Sequence, residues 1–132
     1  MNSAMKARSI LAALFLATTA AGGAMAQDKV SVTTEAAVAA TEVPADAVVV
    51  NIDKLKYETP DLTVKVGDTV YWVNKEAMPH NVEFVKGVVN EGGLKGPMLK
   101  RDQAYAITFN EAGTFDYHCT PHPFMRGKVT VE

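Results

Sequence analysis

From Val48 to the C-terminus the chain is a succession of short β-branched and aromatic runs that alternate in polarity and break at turn residues. Period-two alternation fits half-buried strands, because successive side chains of a strand point to opposite faces of a sheet. The predicted strands are residues 48–52, 62–66, 69–74, 81–85, 104–109, 113–119 and 127–131. Gly67-Asp68 joins two of them tightly, while longer breaks at 57–61 and 87–101 carry Pro60, Gly92, Gly93, Gly96 and Pro97. No stretch of any length shows the apolar period of an amphipathic helix. Strands of this length and spacing predict an all-β sandwich or barrel.

Residues 1–26 stand outside that pattern. Lys6 and Arg8 lead into an apolar run at 10–21, and the segment closes on Ala24-Met25-Ala26, the layout of a secretory signal peptide. The run is shorter than the roughly 20 residues a membrane helix needs. Cleavage is therefore expected, leaving residues 27–132 as one domain that does not insert in a membrane. The whole chain has 13 basic and 15 acidic residues, a net charge of −2 that becomes −4 when Lys6 and Arg8 leave with the leader. That balance argues against nucleic acid as a partner. Residues 31–47, rich in Ala, Thr, Val and Glu, are expected to form an extra strand or a partly ordered arm.

There is a single cysteine, so an exported chain that would favour disulfides cannot form one within itself. A metal would account for the leftover thiol; burial as an inert small hydrophobe is the plainer account. Its surroundings favour the metal. Cys119, His122 and Met125 recur at three-residue intervals on one proline-stiffened loop, and His80 lies in a Met-Pro-His-Asn run at the start of another strand. Two imidazoles and a thiolate in a trigonal set, with a weak axial thioether, form a blue-copper ligand set that accepts both Cu(I) and Cu(II). Alternation puts Phe115, Tyr117 and Cys119 on the core side and His118 on the other, which excludes His118 as a ligand. The same rule places His80 with Val82 and Phe84, opposite Asn81, Glu83 and Val85.

Two other readings of these residues stay open. Zinc also takes cysteine and histidine, although structural zinc usually has four firm donors and more than one thiolate. A Cys-His pair could serve as a nucleophile, but neither an orienting Asn or Asp nor an oxyanion loop is identifiable. Around the metal, Asn81 is placed to reach the thiolate through its N–H and to tie the two ligand loops through its side chain. Pro121 and Pro123 lack N–H groups and cannot donate toward the sulfur, so giving position 121 an N–H is expected to raise the reduction potential.

Met78-Pro79-His80-Asn81-Val82, with Tyr117-His118-Cys119-Thr120-Pro121-His122-Pro123-Phe124-Met125-Arg126-Gly127-Lys128-Val129, resembles the cupredoxins. Lys56-Tyr57-Glu58-Thr59-Pro60, Val64-Lys65-Val66-Gly67, Lys95-Gly96-Pro97-Met98 and Gln103-Ala104-Tyr105 extend the likeness across residues 27–132. The resemblance implies a two-sheet Greek-key sandwich of about eight or nine strands. It also implies one copper ion held by His80, Cys119 and His122 with Met125 axial, in a monomeric periplasmic electron carrier that is not an enzyme. Family members with so short a ligand loop take electrons from methylamine dehydrogenase and pass them to a c-type cytochrome, which gives the expected partners. A periplasmic cupredoxin serving another donor, or a copper delivery or storage protein, is the alternative. Docking is expected through an apolar patch of Met78, Pro79, Met98, Pro121, Pro123 and Phe124 around His122, with Arg126 on its rim.

Overall fold

The computed structural model describes residues 28–132; the leader expected at 1–26 lies outside the described residues. Eleven strand segments follow one another among the described residues. They are β1 (Val30–Val32), β2 (Val38–Ala39), β3 (Val48–Asp53), β4 (Lys56–Tyr57), β5 (Asp61–Val64), β6 (Thr69–Asn74), β7 (Glu83–Phe84), β8 (Leu94–Lys95), β9 (Gln103–Phe109), β10 (Gly113–His118) and β11 (Arg126–Val131). Ala40–Glu42 forms the one short 3-10 turn among the described residues. The count exceeds eight or nine because β2, β4, β7 and β8 are two-residue pairings. Among the described residues no helix is long and apolar enough to cross a membrane.

The strands form two sheets, one in the order β1-β9-β6-β3-β4 with β2 also on β9, the other in the order β5-β11-β10-β7-β8. Pairing is antiparallel except for β3 with β6 and β5 with β11. The chain crosses between the sheets at β4–β5, β5–β6, β6–β7, β8–β9 and β9–β10, so these sequence neighbours lie on opposite sides of the core. This is a β-sandwich of the Greek-key kind.

Alternation explains what fills it. On β10, Phe115 and Tyr117 are buried while Thr114 and Asp116 are exposed, and on β11 Val129 and Val131 alternate with half-buried Lys128 and Thr130. Trp72, Phe84, Phe109 and Phe115 run through the middle as a chain of tilted and edge-on rings, with successive centroids 6.4, 6.4 and 5.6 Å apart. Edge-to-face rings combine large apolar burial with favourable quadrupole contacts.

The arm at 30–39 is ordered along the edge of β9. Val30–Val32 pairs with residues 107–109, and Val38–Ala39 pairs with residues 103–104. Between the two pairings the Ala106 N–H donates to Thr34 Oγ1 at 3.0 Å, so a side chain completes the ladder where the arm kinks.

Candidate metal centre

The candidate site lies at the end of the sandwich where β6 and β10 stop and β9 and β11 begin. Asn74, the last residue of β6, shapes the loop that follows. It is fully buried, its Nδ2 donates to the carbonyls of Met78 (2.9 Å) and Leu99 (2.8 Å), and its Oδ1 accepts the Glu76 N–H at 3.1 Å. His80 emerges from that loop and exchanges two backbone hydrogen bonds with Leu99. Its side chain is wholly buried.

The second loop runs from Cys119 to Met125 and is closed by its own backbone. The His122 N–H donates to the Cys119 carbonyl (3.2 Å), the Met125 N–H to the His122 carbonyl (2.9 Å) and the Cys119 N–H to the Met125 carbonyl (3.2 Å). Prolines at 121 and 123 fall between those donors, so they take no N–H from the network. Cys119 and Met125 are buried, whereas His122 is half-buried.

The two loops converge on one point. Cys119 Sγ lies 3.7 Å from His80 Nδ1 and 3.6 Å from His122 Nδ1, and the three donor atoms lie within 4.8 Å of one another. A first-row ion with bonds of about 2.0 Å to nitrogen and 2.3 Å to sulfur, at tetrahedral to trigonal angles, separates sulfur from nitrogen by roughly 3.5–3.7 Å. The residues therefore fit a metal. A single thiolate, two imidazoles and a thioether-bearing residue suit copper better than zinc. Burial pushes the Cys119 thiol up, opposed by hydrogen bonds from the backbone N–H groups of Asn81 and His122. A metal binding there takes up the thiolate and displaces its proton.

Asn81 is itself buried, which corrects the expectation that the face opposite His80 lies outside the core at this point. Alternation does not apply, because the strand starts only at Glu83 and residues 80–82 are covered on both sides. Its Oδ1 accepts the Thr120 N–H and its Nδ2 donates to Thr120 Oγ1, both at 2.8 Å, so one carboxamide clamps the two loops together. Its carbonyl accepts the Tyr57 hydroxyl at 2.6 Å. Thr120 donates onward to Glu83 at 2.7 Å, and Glu83 meets His118 at 3.4 Å, away from the donor cluster.

Sequence reasoning missed Glu76, Asn74, Thr120, Glu83 and Tyr57 around this site. The Nε2–H of the His80 imidazole donates to Glu76 Oε1. Burial pushes the Glu76 carboxyl up, but the hydrogen bond from His80 and those from the Leu55 and Lys54 N–H groups outweigh it and hold the acid below its usual range. The spacing Glu76 to His80 was the one available signal. Outside the cluster, Met78, Pro79, Met98, Pro121, Pro123, Phe124 and Arg126 are all exposed, Phe124 at 67%.

The family described as copper binding proteins, plastocyanin/azurin family, matches residues 44–132. The chain is 63% identical to amicyanin of Paracoccus versutus and 64% identical to amicyanin of Paracoccus denitrificans, each over 132 residues and the whole of both chains. It is 35% identical to plastocyanin of Scenedesmus fuscus over 86 residues, 59% of this chain and 88% of that one. Among solved structures, an oxidised amicyanin variant and the Cu(I) form of another each superpose with a TM-score of 0.79 at 66% identity, over 80% of this chain and all of theirs. Sequence, fold and donor cluster agree on a blue copper electron carrier, not an enzyme, with copper as its cofactor. The chain belongs to the plastocyanin/azurin family of copper-binding proteins, the cupredoxins, with amicyanins among its near relatives.

Proposed function

We propose that this chain is a monomeric periplasmic carrier that takes single electrons from methylamine dehydrogenase and passes them to a c-type cytochrome, with His80, Cys119, His122 and Met125 holding the metal. The observation that carries the ligand assignment is the convergence of Sγ and two Nδ1 atoms at 3.6 and 3.7 Å. Copper bound there supplies one-electron chemistry between Cu(I) and Cu(II). The chain's own residues do the rest. His80 and Cys119 are buried and fixed by backbone hydrogen bonds, so little rearranges when the charge changes. The loop that carries His122 sits in the exposed patch of Met78, Pro79, Met98, Pro121, Pro123 and Phe124, an apolar surface able to shed water against a partner, with Arg126 orienting it from the rim. Likeness to the amicyanins supports the named donor and acceptor. The leader-like run at 1–26 supports export to the periplasm and cleavage before residue 27.

Stopped-flow mixing of the copper-loaded protein with substrate-reduced methylamine dehydrogenase tests the reading. Rapid bleaching of a strong thiolate-to-Cu(II) band is expected. A blue protein that ascorbate bleaches and the dehydrogenase does not would remove this donor while leaving the carrier; a colourless one would remove the ligand assignment.

A further inference from the structure

Two consecutive residues, Lys54 (φ 53°) and Leu55 (φ 58°), occupy the left-handed region although neither is glycine. They form the two-residue loop of the β3–β4 hairpin, whose Asp53 and Lys56 are paired. Such a loop needs positive φ at both positions and normally uses Asn-Gly or Gly-Gly. Here the strained turn is held from outside by Glu76. Its Oε2 accepts the Lys54 N–H at 3.0 Å and its Oε1 accepts the Leu55 N–H at 3.1 Å. Successive N–H groups in this conformation form a concave nest that favours an anion.

The same Oε1 accepts the Nε2–H of His80. A carboxylate can only accept, so Nε2 must carry the proton and Nδ1, the nitrogen that faces Cys119 Sγ, must be the free donor. The hairpin grips the adjacent residue too, through the Tyr57 hydroxyl on the Asn81 carbonyl. Among the described residues, no other carboxylate bonds to either imidazole of the cluster.

We propose that Glu76 is a positioning residue for the metal, a charged brace that fixes the tautomer and orientation of His80 and anchors it to the hairpin turn at 54–55. This rests on His80 being a ligand. A carboxylate behind an imidazole makes its far nitrogen more basic and favours the more positive metal state. Glu76 therefore stabilises Cu(II) more than Cu(I) and lowers the reduction potential.

The test separates the brace from a mere turn cap. E76Q keeps one acceptor oxygen, replaces the other with an NH2 donor and loses the charge; E76A loses both acceptors and the charge. Lys54→Gly relieves the turn without touching His80, so E76A made in that background reports the imidazole contact even if E76A alone folds poorly. The expected result in E76Q and in K54G/E76A is Cu(II) binding weaker by about 10–100-fold, a smaller loss for Cu(I), and a potential that rises in voltammetry. In the zinc-substituted protein, nitrogen NMR should show a slowly exchanging His80 Nε2–H that becomes fast in K54G/E76A, while K54G alone matches the parent. Unchanged Cu(II) affinity, potential and exchange in K54G/E76A would overturn the brace. A parent protein without the charge-transfer band would overturn the site itself, so the two failures are distinguishable.

Discussion

The two histidines of the cluster offer the same nitrogen to the same point from opposite surroundings. His80 is wholly buried, locked to Leu99 by its backbone and to Glu76 by its ring. His122, with its ring centroid 5.1 Å away, is half-buried on a loop whose Pro121, Pro123 and Phe124 are exposed. On the function proposed above, the inner side sets the geometry of the metal and the outer side meets the partner. Damage to the inner wall should alter the site and the stability together, and damage to the outer loop should alter encounters alone.

The sharpest break of that comparison is to delete each imidazole. His122→Gly opens a hole toward solvent, so excess imidazole should enter and restore the charge-transfer band of the Cu(II) protein. His80→Gly opens a sealed cavity and strips Glu76 of a partner, so added imidazole should restore little, with stability lower by about 2–4 kcal/mol. Absorption spectra with and without imidazole decide; equal rescue at both positions would dissolve the distinction.

Alkali probes the inner wall next. Burial, with smaller contributions from the charges of Cys119 and Tyr117, raises the hydroxyl pKa of Tyr57; burial also raises that of Tyr105 and pushes Tyr117 up to about 12. Tyrosine ionises near 10 in the unfolded chain, so above that pH the unfolded state loses protons that the native state keeps. Stability is therefore full below pH 10 and falls as pH rises, by about 1.4 kcal/mol per unit for each tyrosine still protonated in the fold. Urea unfolding at several pH values should show that slope, and Tyr57→Phe should make it shallower by one proton's worth. A slope indifferent to Tyr57→Phe would mean that this ring is less well sealed than its burial implies.

A similar loss is expected where the wall is tightest. Gly127 pairs with Tyr117 across β10 and β11, and a Cβ there would lie 2.2 Å from Tyr117 Cζ. That ring cannot swing away, since it packs edge-on against Tyr57 at 4.7 Å and Trp72 at 5.3 Å. Gly127→Ala should destabilise by about 1–3 kcal/mol in urea and broaden the copper band. A neutral result would show slack in the wall.

The same contrast governs what could be read from the chain. On residues 113–119 alternation separated buried Phe115, Tyr117 and Cys119 from exposed Thr114 and Asp116 because β10 is a regular strand. At 80–82 it did not separate buried from exposed, since period two has no meaning in a loop covered on both sides. The hairpin at 54–55 carries none of the glycines that announce such a turn, so its hold on Glu76 was invisible. β4 and β8 are too short for any period, and the arm at 30–39 pairs through its backbone while most of its side chains face water. Periodicity reports burial along regular strands; contacts made by loops and carboxylates need coordinates.

The smallest expected effect on the fold, and the cleanest test of the outer side, belongs to Phe124. Its ring lies 6.0 Å from that of His122 and is 67% exposed, so it covers little of the core. Phe124→Ala should change stability by less than about 0.5 kcal/mol and leave the copper spectrum and potential unaltered. Reduction by a docking partner should nonetheless slow, because the patch loses an aromatic anchor of the kind that dominates binding at small interfaces. Reduction by ascorbate, which needs no docked interface, should keep its rate. If both reductants slowed equally, Phe124 would be acting on the metal site, and the division between inner wall and outer loop would fail at the residue where it ought to be clearest.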